Sequence, residues 1–399
     1  MLNCLSTGVN GLTANNNDMS IIANNIANAN TPGYKTQRAE FADILYQQTG
    51  KLEFGNGVNV SGVSSVLSQG PLTATNNLTD LAIDGAGYFI VKDEAGEYYT
   101  RAGQFHINED GKLVTPEGRV VQGWNLQDSA GMASPPSDLN ISNISVSPHA
   151  TENVAIKVNL KSDDPVSSGA AFDPADPSNT SSYTVSLTIY DSLGDGHNLT
   201  FYFRKDADNQ WEWHAFEEGT SLNQSGDLTF TTTGVLDSTT PGTGTITMSG
   251  GQTINVDFGG STQHAADLSS TISFSQDGYE AGSMSSFVIN RDGVIQGIIT
   301  NGRREDIARI ALADFHNPNG LMHVGNNLYL ATPASGQPVI NAPKTGGKGS
   351  IASFNLENSN VDLAAEFVRM IITQRAFQAN ARTITTADQL LTELVNLKR

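Results

Sequence analysis

Cysteine is almost missing from this sequence: Cys4 is the only one among 399 residues. No disulfide can form within the chain, and no cysteine cluster exists to hold zinc. Charge is sparse as well, at 16% of residues, and unbalanced, with 22 Lys and Arg against 41 Asp and Glu. The net charge of −19 repels a phosphate backbone and an anionic lipid surface, and no stretch gathers the basic residues into a patch. Nucleic acid and membrane surfaces are therefore excluded as partners. No apolar run approaches the roughly 18 residues of a membrane-spanning helix. Met1-Leu2-Asn3-Cys4-Leu5 has neither the basic start nor the apolar run of a cleaved secretory signal. Catalytic signatures are lacking too. There is no His-Glu-x-x-His and no Gly-x-Ser-x-Gly, and Gly347-Lys348-Gly349-Ser350 lacks the spacing of a phosphate loop. The nearest histidine pair, His316 and His323, lies in loop-like sequence beside Pro318 and Gly320, and it reads as loop rather than metal site. No catalytic, cofactor-binding or metal-binding residue emerges, and the chain reads as non-enzymatic.

What is present first is a helical repeat at each end. Leu5, Leu12, Met19 and Ile26 are seven residues apart, with Val9, Asn16 and Ala23 between them, which is an a/d heptad stripe. Thr31-Pro32-Gly33 stops it, because proline cannot continue a helix and glycine permits the turn. Near the other end Leu363, Met370, Phe377, Ile384 and Leu391 repeat at the same interval, interleaved by Phe367, Gln374, Ala381, Asp388 and Val395. Ser359 or Asn360 is expected to cap this helix, with Asp362 in its first turn. Uninterrupted from Val361 to Leu397, it would run roughly 55 Å, longer than a compact core needs. Both stripes are simplest to bury against each other and against copies from other chains, with Asn16, Gln374 and Asp388 as polar register-setting positions.

The middle reads as β. Phe41, Ile44, Leu45 and Gln48 suggest one short amphipathic turn, followed by Val58, Val60, Val63 and Val66 among Gly and Ser. Leu81 to Trp124 carries short strands punctuated at Asp84-Gly85, Asp110-Gly111 and Glu117-Gly118. Residues 163 to 182, rich in Asp, Pro, Ser and Asn, read as linker or long loop. Clean alternations follow: Tyr183, Val185, Leu187, Ile189; Leu199, Phe201, Phe203; Ile254, Val256, Phe258. Trp211 and Trp213 read as core residues of one strand in preference to a carbohydrate platform, and Asp206, Asp208 and Asn209 as a hairpin turn in preference to a calcium loop. The expected fold is α+β: two mainly-β domains, nested, on a helical coiled-coil base formed by both termini. Its parts are residues 1–70 with 357–399 as the helical base, 71–149 with 285–356 as an inner β domain, and 150–284 as an outer all-β insertion. The 14 residues Leu5, Val9, Leu12, Met19, Ala23, Ile26, Leu363, Phe367, Met370, Phe377, Ala381, Ile384, Leu391 and Val395 form the candidate assembly interface.

Three segments resemble a known family. Asn24-Asn25-Ile26-Ala27-Asn28-Ala29-Asn30-Thr31-Pro32-Gly33-Tyr34-Lys35 is similar to the N-terminal signature of the axial proteins of the bacterial flagellum, the rod, hook and junction subunits. Asp80-Leu81-Ala82-Ile83-Asp84-Gly85-Ala86-Gly87-Tyr88-Phe89, with Arg101, Gly103 and Phe105 beyond it, resembles their inner-domain motif. Asn360, Val361 and Asp362, with Gln374 and Arg375, resemble their C-terminal signature. The large central region favours a hook-type over a rod-type subunit; an axial scaffold bearing a carbohydrate-binding or adhesive module is the other alternative. The resemblance implies a helical homopolymer: a curved hollow tube, flexible in bending and stiff in twist, that passes motor torque to the filament as a universal joint. It also implies export without a cleaved signal through the flagellar type III apparatus, an extracellular location, and as partners a hook cap protein, the distal rod protein and hook–filament junction proteins. No cofactor is implied.

Overall fold

The first helix, α1 (Leu2–Ala27), begins the chain in a computed structural model that describes residues 2–49, 52–126, 134–141, 145–166, 171–237 and 242–396. The helix ends at Ala27, and the chain turns away through Thr31-Pro32-Gly33. Gly33 has φ +73°, and a Cβ there would lie 2.5 Å from the Ala102 nitrogen, so the stop requires glycine. Two long antiparallel strands follow, β1 (Gln37–Thr49) and β2 (Leu52–Ser65). The expected amphipathic turn at Phe41, Ile44, Leu45 and Gln48 is therefore a strand. The apolar spacing read as helical belongs to a ribbon whose register shifts at Glu40/Phe41 and again at Asp43/Leu45, and those bulges break the two-residue period. The ribbon packs on α1: Asn10 Nδ2 donates to the Asn56 carbonyl at 2.8 Å and Ser6 Oγ donates to Asn56 Oδ1 at 2.7 Å. The outward strands continue as β3 (Leu72–Ala74), β4 (Leu81–Asp84), β5 (Tyr88–Asp93), β6 (Gly96–Thr100) and β7 (Val120–Asn125).

The chain then makes a second compact unit, residues 144–285 with 298–303. One sheet contains β8 (Asn153–Lys161); the other is the meander β9 (Tyr183–Tyr190), β10 (Gly196–Ala207), β11 (Gln210–Glu217), β12 (Thr220–Thr229). The first sheet is completed by β13 (Thr243–Thr247), β14 (Thr253–Asp257), β15 (Thr262–His264) and β16 (Ser270–Gln276). Inward alternation fills the core with Val154, Ile156, Val158, Leu187, Ile189, Phe201, Phe203 and both Trp211 and Trp213. Phe258 is the centre, with ring centroids of Phe201, Phe203 and Trp213 between 5.5 and 5.6 Å away. Trp211 and Trp213 are thus core residues, and Asn209, at φ 62°, makes the β10–β11 hairpin turn.

The return pass supplies β17 (Arg304–Ile310), β18 (Leu312–Asp314), β19 (Leu328–Leu330), β20 (Ser350–Ser353) and β21 (Asn355–Glu357), and ends in α2 (Leu363–Asn396). Return strands pair with outgoing ones: β18 with β5, β19 with β6, β17 with β7, β20 with β4 and β21 with β3, all antiparallel. The inner core mixes the two passes, Tyr88, Ile90 and Tyr99 packing with Ala313, Phe315 and Tyr329. Neither half can bury its face alone, so this unit closes only after the insertion has been made. It comprises residues 1–143, 286–297 and 304–399, with the terminal helices included. Asp362 is the cap of α2, its Oδ1 accepting from the Ala364 and Ala365 nitrogens at 2.9 and 3.2 Å. Ser359 and Asn360, expected as caps, are engaged elsewhere.

Candidate assembly interface

The terminal helices pack antiparallel: a Cβ on Gly8 would lie 2.8 Å from Ile384, one on Gly11 would lie 2.7 Å from Asn380, and Asp18 meets Thr373. Ile384 of the apolar stripe meets Gly8 here, but most of the face that joins the helices is not that stripe. On α1 the buried positions are Gly8, Gly11, Ala14, Asp18, Ile22 and Asn25, most of them one residue ahead of the Val9, Leu12, Met19, Ala23 and Ile26 series. One residue is 100° of helix rotation. On α2 the matching positions are Glu366, Thr373, Asn380 and Ala387. This seam is small and polar, which brings the backbones close. It is pinned by Asp18, whose Oδ2 accepts from Thr373 Oγ1 at 2.9 Å and whose Oδ1 accepts from Arg369 Nη2 at 3.2 Å. Asn16, Gln374 and Asp388, expected to set register, are exposed; Asp18, Asn25 and Thr373 occupy the buried polar places instead.

The apolar stripe is left outside or on the flanks. Val9, Ala23, Leu363, Phe367 and Phe377 are exposed, Phe367 by 50% and Phe377 by 36%. Leu5, Leu12, Met19, Ile26, Met370, Ala381, Ile384 and Leu391 are half-buried at its margin. Val395 lies in α2, but its side chain falls outside the described residues. Val368, Ile371 and Ile372 are exposed as well, so the first third of α2 is apolar all round except where Glu366 and Arg369 face α1. A helix with this much apolar surface beyond its intramolecular seam has more to bury than one partner helix covers.

Beneath the helices, the three resembling segments meet. Asn25 lies on α1, and its amide both donates to the Gln37 carbonyl (2.8 Å) and accepts from the Gln37 nitrogen (2.9 Å) and Tyr34 OH (3.1 Å). Tyr34 is buried, and that burial, reinforced by the Glu366 carboxylate, pushes its phenol up to about 12. Asn360 Oδ1 accepts from the Thr36 nitrogen and hydroxyl, while its Nδ2 reaches the Val66 and Ser68 carbonyls. Gly85 and Gly87 form the β4–β5 turn, and Gly103 lets the Leu81 carbonyl pass where any Cβ would collide with it. Phe89 and Phe105 meet edge to face at 5.1 Å in the core, and Tyr88, its neighbour along β5, meets Phe315 and Tyr329 at 6.1 and 5.7 Å.

At the centre is Glu357, 1% exposed. Its carboxylate takes Lys35 Nζ at 2.5 Å, Arg101 Nη1 at 3.3 Å and the Gly70 nitrogen at 2.9 Å, while its carbonyl accepts from Gly33 nitrogen at 2.7 Å. Arg101 also donates to the Gly85 carbonyl and lies over the Tyr88 ring at 5.3 Å. Burial draws Lys35 below its ordinary value, and Glu357 opposes that shift. One acid thus ties the end of α1, the inner β strands and the approach to α2. Glu357 escaped the sequence reading; its only signal was an acid standing alone in the stretch before Asp362. Val361 is half-buried beside this junction, Asp362 caps α2, and Ala27, Gln374 and Arg375 are exposed. Asn28 stays local, its Oδ1 accepting from Thr31 Oγ1 at 3.1 Å. Among the described residues, no group of three or more His, Cys, Asp or Glu side chains is placed to hold a metal ion, and no helix is long and apolar enough to cross a membrane.

Four families match parts of the chain: the flagella basal body rod protein at residues 5–35, the flagellar hook protein FlgE/F/G D1 domain at 82–159, the flagellar basal body protein FlaE D2 domain at 157–279 and the flagellar basal body rod FlgEFG protein C-terminal at 352–397. The flagellar hook protein FlgE of Borreliella burgdorferi is 36% identical, covering 100% of both chains. That of Salmonella typhimurium is 34% identical over 98% of this chain and 99% of its own. The crystal structure of the Helicobacter pylori flagellar hook protein FlgE2 superimposes with a TM-score of 0.53 at 18% identity, covering 72% of this chain and 100% of that one, a likeness of fold.

Proposed function

The chain belongs to the flagellar hook protein family, and from that premise we propose that its copies assemble helically into a curved hollow tube that serves as a universal joint between motor and filament. It is a structural subunit of the flagellar hook. The observation that carries the assembly reading is the displacement of the apolar stripe from the intramolecular seam. The seam between the terminal helices is mostly small and polar, and much of the apolar stripe stays partly or fully exposed, Val9, Leu363, Phe367 and Phe377 among it. Burying Leu363, Phe367, Ile371 and Phe377 against neighbouring copies removes that surface from water and supplies the cohesion of the tube. The stripe residues of both helices are the proposed contact, with Val395 among them.

In this reading residues 1–70 and 357–399 act as the assembly domain, 71–149 and 285–356 as the inner β domain, and 150–284 as the outer one. The tube lies outside the cell. Its subunits leave through the flagellar type III apparatus without a cleaved signal, grow under a cap protein, and join the distal rod below and junction proteins above. Electron microscopy of the purified, polymerised chain tests this: curved hollow tubes are expected, and amorphous aggregate or a persistent monomer would count against it.

A further inference from the structure

We propose that the outer edge of β16 is a docking strand for β13 of a second copy of this chain, so that one β-sheet continues from subunit to subunit. The proposal rests on the assembly reading above and adds to it a specific contact in the inserted unit. Strand β16 pairs with β8 along one side only. Among the described residues, no backbone hydrogen bond reaches its other side. Free strand edges present a row of donors and acceptors that another strand satisfies, and proteins normally blunt them with charge or proline. Here Ser270-Thr-Ile-Ser-Phe-Ser-Gln276 contains neither. The register slips between Lys157 and Val158, leaving Ile272 unpaired. Leu268, Ile272 and Phe274 are exposed by 79, 57 and 56%. Such side chains on a bare edge fit a polypeptide strand rather than a small molecule.

Two observations point to a second copy. The molecule carries a net charge of −19, so copies repel wherever acids face one another, and uncharged surfaces are where they can approach. The opposite edge of the same sheet, β13, is also uncharged, Thr243-Gly-Thr-Ile-Thr247. Its Thr247 end is closed by the Gln224 amide, which donates to the Thr247 carbonyl at 2.9 Å and accepts from its nitrogen at 2.7 Å; among the described residues, no backbone hydrogen bond closes the outer side of Thr243 and Thr245. Two different edges on opposite sides of one sheet make a head-to-tail contact, the kind that builds an open helical polymer rather than a closed dimer.

The test places a benzophenone amino acid at position 274 of the full chain, which is polymerised, checked by electron microscopy and irradiated. Covalent ladders of this chain are expected from the polymer and not from dilute monomer, with the joined peptides mapping to residues 243–247 of another copy. An intact polymer that yields no ladder, or that cross-links to another segment, overturns the edge pairing and leaves the assembly reading standing. An unsubstituted chain that never polymerises overturns both. As a second arm, Ile272→Glu with Phe274→Glu should leave the monomer's melting temperature unchanged, since both residues are exposed, and should raise the critical concentration for polymerisation. An unchanged critical concentration sinks the proposal.

Discussion

Glu357 is one carboxylate serving two buried cations, and that arithmetic governs its substitution. Glu357→Gln keeps the shape but leaves Lys35 and Arg101 buried without a counter-charge. Breaking such a cluster from one side costs about 3–5 kcal/mol. The expected outcome is loss of amide protection in β4 and β5 at lower urea than in the parent chain; an unshifted midpoint would mean that the junction does not depend on this charge. Tyr34 gives a prediction with a pH sign. Its hydroxyl donates to Asn25 Oδ1 and accepts from Asn24 Nδ2, and its pKa rises from 10.0 to about 12. The folded chain therefore holds the phenolic proton at pH values where the unfolded chain has released it. Stability from this group is complete below pH 10 and disappears as the pH rises from 10 to about 12. Tyr34→Phe should cost about 1 kcal/mol at neutral pH, and the gap between variant and parent should close over that alkaline range. A gap that stays constant to pH 12 would show that the hydroxyl is not held as described.

At the scale of elements, α2 does two jobs on two faces. Glu366, Thr373, Asn380 and Ala387 serve the intramolecular seam, while Phe367, Ile371 and Phe377 face outward. Phe377→Asp would put a carboxylate into the proposed contact between copies, where an unpaired buried charge is costly. The monomer should remain soluble with an unchanged melting temperature, because Phe377 is already exposed there. Polymerisation should fail, and cells carrying the variant should lack hooks and be non-motile. Gln378→Asp, the next residue along, should be far milder. Normal polymerisation of the Phe377 variant would remove this seam from the assembly.

For the whole molecule, the order of the chain sets the order of dependence. The inner core needs both passes, since β5 and β6 pair with β18 and β19. The inserted unit has its own core around Phe258 and, among the described residues, takes no strand from outside residues 144–303 for its two sheets. Residues 150–284 expressed alone should therefore unfold cooperatively, with a far-UV spectrum dominated by β structure. A spectrum dominated by helix or coil would sink the independence of this unit.

Periodicity by itself determined the helical ends and the β alternation of the insertion and favoured the core placement of Trp211 and Trp213, because each follows from local spacing that burial must respect, whereas the nested order came from the expectation that the two end helices pair. The motifs located the junction residues Asn25, Gly33, Arg101 and Asn360 without showing what they touch. Three things waited for the tertiary structure. The β1–β2 ribbon was hidden because bulges scramble the period of two. Glu357 was hidden because its partners Lys35 and Arg101 are hundreds of residues away in sequence, and pairing at that range leaves no local trace. The seam between the helices was hidden for an energetic reason: apolarity marks which residues should leave water but not which partner removes them. Here glycine, asparagine and aspartate close much of the intramolecular contact through close approach and hydrogen bonds, and the more conspicuous hydrophobic stripe lies at its margin or outside it.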